Sequence, residues 1–460
     1  MQKYLTMPDV IDTNATPSTQ SDIRRVAVLG AGTMGAQIAA LVAAQGIKCD
    51  LLDMSAPMVE DAKQRLLTMR PKVIDDPAML ELIRAGSFDE DLQRLADADW
   101  IVEAIVERAE PKSALWSRVA DCARPDVILS TNTSGIPIAQ IAQALPAEMR
   151  GRFLGTHFFN PPRYLHLLEL IPTSDTDCSA ITTIRQFGGD VLHKGVVIAR
   201  DVPGFITNRI GCHYFLSVMR AADEFGLTPD EADAVSGPLM GRSNSATFRT
   251  IDLVGVDILL DICDNTRSAV ASQDEVQAYA APKYLRDMRE NGWLGNKSGQ
   301  GFYKRERQGG QSRIFALNTS TLQYQDRTGR MRESLSNIRA IEDTGERLRA
   351  LVATDSTAAE FAWRALSSLL AYSAAMLGEV ADDIANIDRA MRWGFNWELG
   401  PFETWDALGV EKTVARMKRD GIGVPDWVAA IARDGGSLYR QFDGELEQAT
   451  AVGKYAKVSG

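Results

Sequence analysis

The stretch "RRVAVLGAGTMGAQIAALVAAQGIKCDLLD" (24–53) constrains the fold of this chain more than any other. It begins with an apolar, β-branched run, passes through a glycine-rich turn into an alanine-rich segment that stops at Gly46, and ends in a second apolar run. This order predicts a strand, a helix and a second strand, which is the repeating unit of parallel α/β sheets.

The glycines of the turn follow the pattern G-x-G-x-x-G at Gly30, Gly32 and Gly35. The first permits a tight turn, the second lets the backbone approach a pyrophosphate, and the third allows close packing of helix on strand. Asp53 ends the second strand, where a carboxylate can bind ribose hydroxyls. Because Met54 and Ser55 offer no arginine for a 2′-phosphate, the motif predicts NAD rather than NADP. A FAD or other nucleotide site, or a plain tight turn, is the alternative.

Composition limits the classes of function. A chain of 460 residues is too long for one hydrophobic core, so several domains are expected. The net charge of −11 argues against a general binder of nucleic acid or anionic membranes, although a local basic pocket could hold an anion. The five cysteines are odd in number and form no C-x-x-C, so neither a zinc site nor a disulfide framework is indicated, and a reducing cytosol fits best. No apolar run approaches the roughly 18 residues of a membrane span.

Further strand patterns end in polar residues. "WIVEAIV" (100–106) is followed by Glu107, and "DVILSTNTSG" (126–135) ends in Asn132, Thr133 and Ser134. Ligands of open α/β sheets bind beyond the carboxyl ends of the strands, so these side chains are expected at the site. The segments "RFLGTHFF" (152–159) and "YLHLLELI" (164–171) predict a hairpin that continues the sheet, and "GVVIARD" (195–201) predicts its last strand.

The hairpin carries two of the four histidines of the chain. Side chains alternate along a strand, so His166 and Glu169 point to opposite faces of the return strand. His157, on the neighbouring strand, is therefore the expected partner of Glu169. A carboxylate that orients an imidazole makes histidine an effective general base. The alternative is a buried core histidine beside a solvated glutamate.

Beyond Asp201 the pattern becomes helical. "VPGFITNRIGCHYFLSVMRAADEFG" (202–226) predicts a long helix with Pro203 near its start, and Thr228 with Glu231 predicts a capping box for the next helix. The segment "ATFRTIDLVGVD" (246–257) recurs as "GPFETWDALGVE" (400–411), which indicates a duplicated helical module. The residues shared at a constant offset of 154 are Phe248, Asp252 and Gly255, which recur as Phe402, Asp406 and Gly409.

The predicted fold class is an α/β Rossmann-type NAD-binding domain followed by an all-α C-terminal domain made of two duplicated helical modules. The expected organisation is a flexible tail (1–22), the NAD-binding domain (23–200), the first helical module (201–304), a connector (305–360), the second helical module (361–435) and a C-terminal tail (436–460).

Four separated motifs carry a resemblance to a known family. "HFFNP", Glu169 twelve residues after His157, "DVPGFITNR" and "GNKSGQGFY" closely resemble the L-3-hydroxyacyl-CoA dehydrogenases of fatty-acid β-oxidation. The resemblance covers about 23–304, and 361–411 resembles the duplicated C-terminal module. The arrangement is most like the dehydrogenase part of bacterial multifunctional proteins, without their enoyl-CoA hydratase domain. The sequence leaves open whether it is a stand-alone form or a truncated one.

The resemblance implies a role for each matching residue. His157 would be the general base and Glu169 its partner, while Ser134 and Asn208 would hold the thioester end and the 3-oxygen of the substrate. The residues implied to contact NAD are Gly30, Gly32, Thr33, Met34, Gly35, Asp53, Glu107, Lys112, Asn160 and Lys297. Taken from the residues alone, Asn208 could be a capping or interhelical amide and Lys297 a solvated loop lysine. His193 and His213 match no catalytic position.

The activity implied is NAD-dependent oxidation of an (S)-3-hydroxyacyl-CoA to the 3-oxoacyl-CoA, with 3-hydroxybutyryl-CoA dehydrogenase working in the reductive direction as the alternative. A non-catalytic nucleotide-binding protein is less favoured, because both members of the histidine–glutamate pair are present. The partners expected are an acyl-CoA substrate, a second copy of the chain or a pseudo-dimer within one chain, and a separate enoyl-CoA hydratase or thiolase. No metal, nucleic acid or membrane span is expected.

Overall fold

The structure is a computed structural model that describes residues 23–270, 272–308 and 311–458. The expected N-terminal tail (1–22) lies outside these residues. The described chain divides into two compact units, with the boundary after Phe205. None of the described residues forms a helix long and apolar enough to cross a membrane.

The first unit consists of one sheet with helices connecting its strands. Its strands are β1 (Arg25–Leu29), β2 (Lys48–Asp53), β3 (Ile83–Ser87), β4 (Trp100–Glu103), β5 (Ile128–Thr131), β6 (Phe153–Phe158), β7 (Leu167–Pro172) and β8 (Gly195–Ile198). Its helices are α1 (Thr33–Ala43), α2 (Ala56–Thr68), α3 (Ala109–Ala120), α4 (Ile138–Ala142), α5 (Ala147–Arg150) and α6 (Cys178–Gln186), with short turns of helix at Pro77–Leu82, Leu92–Asp97 and Phe187–Val191.

The strand order is β3-β2-β1-β4-β5-β6-β7-β8. Strands β1 to β6 pair in parallel, β7 runs antiparallel to β6, and β8 is parallel to β7. This is the order of a Rossmann-type sheet extended by a hairpin and an edge strand, so the predicted α/β fold is confirmed. Alanine-rich α1 is buried from Gly35 to Ala43, because its small side chains let the helix lie close against the sheet.

Two strand boundaries differ from the sequence-based prediction. Strand β4 ends at Glu103, so Glu107 lies in the following loop rather than at the strand end. Strand β7 starts at Leu167, which leaves His166 before the strand. Both predicted runs were apolar beyond these points, and apolarity alone does not mark where strand pairing stops.

The second unit contains mostly helices. They are α7 (Thr207–Glu224), α8 (Pro229–Ser236), α9 (Phe248–Val254), α10 (Val256–Ala269), α11 (Gln273–Ala278), α12 (Lys283–Glu290), α13 (Arg330–Ser334), α14 (Ser336–Arg339), α15 (Thr344–Val352), α16 (Thr357–Ala375), α17 (Ile384–Phe395), α18 (Pro401–Leu408), α19 (Val410–Arg419) and α20 (Asp426–Arg433), with 3-10 turns at Pro238–Met240 and Asn296–Ser298. Helix α7 starts four residues after Pro203, because Gly204 and Phe205 have left-handed backbone (φ 77° and 48°).

The second unit also carries two small antiparallel sheets. Their strands are β9 (Tyr303–Gln308), β10 (Gln311–Asn318) and β11 (Gln323–Asp326) in the first sheet, and β12 (Tyr439–Phe442), β13 (Glu445–Ala449) and β14 (Tyr455–Lys457) in the second. The first sheet and α13 to α15 occupy much of the expected connector, and the second sheet lies where a C-terminal tail was expected.

The duplicated aspartates tie each sheet to its module. Asp252 accepts hydrogen bonds from the N–H groups of Phe302 and Tyr303, both at 2.8 Å. Asp406 accepts them from Leu438 at 2.7 Å and Tyr439 at 2.8 Å. The aspartate that recurs in the two sequence repeats thus binds the backbone at the start of the first strand of each small sheet.

In each module a second aspartate caps the helix on which Asp252 or Asp406 lies. Asp233 on α8 accepts three backbone N–H groups at the start of α9, and Asp388 on α17 accepts the N–H groups of Phe402 and Glu403 in the first turn of α18. These are donors that a helix cannot satisfy itself. Gly400 allows the approach, because a Cβ there would lie 2.3 Å from Oδ1 of Asp388.

Helices α7 and α16 pack the two modules against each other within the second unit. The Nε of Arg209 donates to the Tyr372 hydroxyl at 2.9 Å, and the hydroxyls of Ser217 and Ser368 are 2.9 Å apart. Further along, Arg364 pairs with Glu224 at 2.9 Å. The contacts run in opposite directions along the two helices, so the helices are antiparallel.

Candidate active site

The glycine turn joins β1 to α1 and leaves its backbone open at one position. Gly30 has φ 108°, and a Cβ there would lie 2.6 Å from the carbonyl oxygen of Ala104. A Cβ on Gly35 would lie 1.9 Å from the carbonyl oxygen of Gly30. A Cβ on Gly32 would meet no atom within 4 Å. The outer glycines are therefore needed for packing, whereas Gly32 faces the open space that a pyrophosphate would occupy.

Asp53 lies beside this turn at the end of β2. Its Oδ2 accepts a hydrogen bond from Ala31 N–H at 2.6 Å and its Oδ1 accepts one from Met54 N–H at 2.7 Å. These bonds fix the carboxylate while each oxygen keeps a lone pair for a ribose hydroxyl. Thr33 is exposed and Met34 packs on the core at the start of α1. The residues present thus fit an NAD molecule bound at the turn.

Glu107 organises the loop that follows β5. Its Oε1 accepts hydrogen bonds from the Thr133 hydroxyl at 2.6 Å, from Ser134 N–H at 2.8 Å and from Gly135 N–H at 3.2 Å. Asn132, at the start of the loop, accepts a hydrogen bond from Phe158 N–H at 2.9 Å. The loop bearing Ser134 is thereby held at the same sheet edge as the end of β6.

A buried ion pair between Lys112 and Glu103 lies next to Glu107. Lys112 is 1% exposed, and its Nζ lies 2.6 Å from Glu103 and 3.5 Å from Glu107. Glu103 is fully buried and also accepts hydrogen bonds from the Thr131 hydroxyl and Ile105 N–H, both at 2.7 Å. A buried charge with this many partners is well satisfied. Lys112 therefore supports the Glu107 loop, and its contact with NAD stays a prediction.

His157 and Glu169 face each other across β6 and β7. They are register partners of the antiparallel pair, and His157 Nδ1 lies 2.7 Å from Glu169 Oε2. His157 is 4% exposed and Glu169 is fully buried. The imidazole also packs against the rings of Phe159 and Phe205, at centroid distances of 4.4 and 5.6 Å. An ionised carboxylate can only accept, so Nδ1 carries the proton and Nε2 keeps a lone pair.

The turn between β6 and β7 is held by two further contacts. Asn160 is exposed, and its Oδ1 accepts a hydrogen bond from Gln37 on α1 at 3.0 Å. The Lys194 ammonium donates to the carbonyl groups of Pro162 and Leu165, the latter at 2.9 Å. Burial lowers the pKa of Lys194 to about 8. The turn that follows strand β6, which carries His157, is thus connected to helix α1, which follows the glycine turn.

The remaining predicted residues belong to the second unit. Asn208 lies half-buried in the first turn of α7. Lys297 lies in the Asn296–Ser298 turn, and its Nζ donates to Asp257 at 2.7 Å. Their roles stay predictions. His213 is stacked on Tyr372 at 3.8 Å, and burial, aided by Arg220 and Arg209, lowers its pKa to about 3, so it is a neutral core residue.

Sequence reasoning missed the residues that support the site. Glu103 sits inside an apolar strand pattern and Lys194 precedes another, so neither stood out from its neighbours. For Glu103 the available signal was an acidic residue within a buried strand, because a buried charge must be paired, and its partner is Lys112.

Comparison with known proteins adds two findings. The family described as "3-hydroxyacyl-CoA dehydrogenase, NAD binding domain" matches residues 25–202, and the one described as "3-hydroxyacyl-CoA dehydrogenase, C-terminal domain" matches 204–305. The first unit is therefore an NAD-binding domain.

Individual relatives agree with these matches. A probable 3-hydroxyacyl-CoA dehydrogenase of Bacillus subtilis is 38% identical over 91% of this chain, which spans only 55% of that relative's length. A probable 3-hydroxyacyl-CoA dehydrogenase of Deinococcus radiodurans is 41% identical over 62% of this chain and 83% of its own. The crystal structure of 3-hydroxybutyryl-CoA dehydrogenase from Escherichia coli has a TM-score of 0.65 at 22% identity, covers 87% of this chain and 95% of its own, and shares the fold.

Proposed function

The chain belongs to the 3-hydroxyacyl-CoA dehydrogenase family, and from this premise we propose that it interconverts (S)-3-hydroxyacyl-CoA and 3-oxoacyl-CoA with NAD. The observation that carries the proposal is the buried His157–Glu169 pair at the sheet edge of the NAD-binding domain, with Nε2 of the imidazole left to accept a proton.

His157 acts as the general base of the oxidation. Its Nε2 removes the proton of the 3-hydroxyl group as C3 loses a hydride, for which the bound cofactor is the acceptor. The imidazolium that forms is stabilised by Glu169, which lies 2.7 Å from Nδ1 in a region shielded from water. In the reductive direction the same imidazolium returns the proton to the 3-oxygen.

Ser134 and Asn208 orient the substrate. We assign to them the thioester end and the 3-oxygen, for which a hydroxyl and an amide are suitable donors. Glu107 and Lys112 position Ser134 through the loop contacts of Glu107, and Lys297 remains a candidate contact for the cofactor. These assignments follow the family resemblance.

The direct test is reduction of acetoacetyl-CoA by NADH, followed through the absorbance of NADH. We expect oxidation of NADH that requires both the protein and the thioester. Free acetoacetate serves as the control for the CoA moiety and should be a much poorer substrate. If the protein binds NADH but does not consume it with thioesters from C4 to C16, it is a non-catalytic member of the family.

Cofactor choice provides a second test. Asp53 is fixed by Ala31 and Met54 with its remaining lone pairs free, so it should bind the ribose diol and repel a 2′-phosphate. We expect NADH to be preferred to NADPH, and Asp53→Ala to narrow the ratio of the two kcat/KM values. Equal use of both cofactors by the unaltered protein would contradict the role of Asp53.

The wider setting follows from the same assignment. We propose a cytoplasmic enzyme of fatty-acid β-oxidation, consistent with five free cysteines. An enoyl-CoA hydratase would supply its substrate and a thiolase would consume its product. The reductive direction, on 3-oxobutyryl-CoA, uses the same site.

A further inference from the structure

The first helical module contains a cleft of about 780 Å³ that is rich in positive charge. Its walls come from α8, β9, β10 and the segment 327–339, all within the second unit. We call it the basic cleft. Its cationic residues are Arg249, Lys304, Arg305, Arg327, Arg332 and Arg339. They contrast with the acidic chain as a whole, whose net charge is −11.

The carboxylates in the cleft are already engaged. Asp233 accepts three backbone N–H groups of α9 and the hydroxyl of Tyr303 at 2.7 Å. Asp230 accepts the N–H of Thr328 at 3.1 Å, and Glu231 accepts the hydroxyl of the same residue at 3.0 Å. These carboxylates are committed to the fold of the module.

Most of the cations have no carboxylate partner. In the described part of the chain, no ion pair involves Arg305, Arg327, Arg332 or Arg339. Arg339 donates to the carbonyl of Ala234 at 3.2 Å, but its buried Nε has no hydrogen-bond partner there. Burial and the charge of Arg332 lower the pKa of Arg339, so these guanidinium groups oppose each other.

The second module carries a carboxylate at one of the positions that correspond to the cations of the cleft. Glu403 stands where the first module has Arg249, and it pairs with Arg392 at 3.3 Å. At the other position the copies agree, since Lys304 pairs with Glu306 at 2.8 Å and Arg440, which follows Tyr439 as Lys304 follows Tyr303, pairs with Glu447 at 2.7 Å. The positive charge of Arg249 is thus a property of the first copy and does not come with the module itself.

We propose that the basic cleft binds a small molecule bearing two or more phosphate groups, at a site separate from the glycine turn. Guanidinium groups match phosphate oxygens in a bidentate geometry, and several unpaired ones suit adjacent phosphates better than a single carboxylate. The volume lies in the range of small-molecule sites. Two sources share this chemistry: the phosphates of coenzyme A and those of a free nucleotide.

The test is calorimetric titration of the full chain with inorganic pyrophosphate. We expect saturable binding that weakens with salt, and a loss of affinity of about tenfold or more in Arg305→Ala/Arg332→Ala. Both residues are exposed, so the variant should fold. Arg332→Gln should give a smaller loss. Arg419→Ala, an exposed arginine of the second module, is the matched control and should bind as the unaltered protein does.

Adenosine 3′,5′-bisphosphate, which is part of coenzyme A, and ADP distinguish the sources. If coenzyme A is the ligand, the bisphosphate should bind more tightly than ADP, and the double variant should raise KM for acetoacetyl-CoA at unchanged kcat. If a free nucleotide is the ligand, ADP should bind at least as well and KM should not change. Absence of pyrophosphate binding, or equal binding by the double variant and the Arg419→Ala control, overturns the proposal. Pyrophosphate binding is measured without the dehydrogenase reaction, so its outcome is independent of the proposed activity.

Discussion

Replacing His157 by alanine should lower kcat for acetoacetyl-CoA reduction by about 10²–10⁴-fold, the usual contribution of a positioned general acid or base. The imidazole is the proton carrier in both directions, and its contacts to Glu169, Phe159 and Phe205 fix it without involving the glycine turn. Binding of NADH, measured by its fluorescence, should therefore be unchanged.

Two companion variants separate the pair from its surroundings. Glu169→Gln should also be slow, because the imidazolium loses its counter-charge while a hydrogen-bonding side chain of the same size remains. His166→Ala is the matched control, since His166 lies before β7 and outside the register pair. Near-normal turnover in His157→Ala, or an equal loss in His166→Ala, would show that the wrong histidine was assigned.

Replacing Asp388 by alanine should destabilise the protein by about 3–5 kcal/mol, because buried donors left unpaired cost about 1–3 kcal/mol each. Asp388 is fully buried and serves the N–H groups of Phe402 and Glu403 and the hydroxyl of Tyr439. Its loss would leave the first turn of α18 uncapped and release the start of β12. Chemical denaturation monitored by circular dichroism measures the effect.

The controls for this variant use the same chemistry. Asp388→Asn keeps one oxygen acceptor and should lose less stability than Asp388→Ala. Asp61→Ala, an exposed aspartate in the middle of α2, should be close to neutral. If Asp388→Ala unfolds at the same denaturant concentration as Asp61→Ala, the capping role is wrong.

The histidine–glutamate pair could be predicted from sequence because two local rules act together. The hairpin pattern pairs the strand of His157 with the strand of Glu169, and a carboxylate is the partner that a buried imidazole needs. Alternation does not apply to His166, because that residue lies before β7. The glycine turn was predictable for a similar reason, since backbone geometry at Gly30 and Gly35 admits no side chain.

The two small sheets could not be predicted from local pattern. Apart from β10, their strands have six residues or fewer and are mostly polar, so apolar alternation is weak in them. What fixes them is distant in sequence: Asp252 binds the amide of Tyr303, and Asp406 binds that of Tyr439. Such contacts leave no periodic signal, although the repetition of an aspartate and a tyrosine in both copies would have pointed to them.

The antiparallel packing of α7 on α16 joins two halves of one polypeptide. A pair of separate single-module chains would fall apart on dilution, because their association depends on protein concentration. Here the connecting segment keeps the local concentration of each half constant, and the Arg209–Tyr372 and Ser217–Ser368 contacts form with the same strength in a dilute solution as in a concentrated one. The two halves can also differ from each other in sequence, because each packs against one fixed counterpart and not against a second copy of itself.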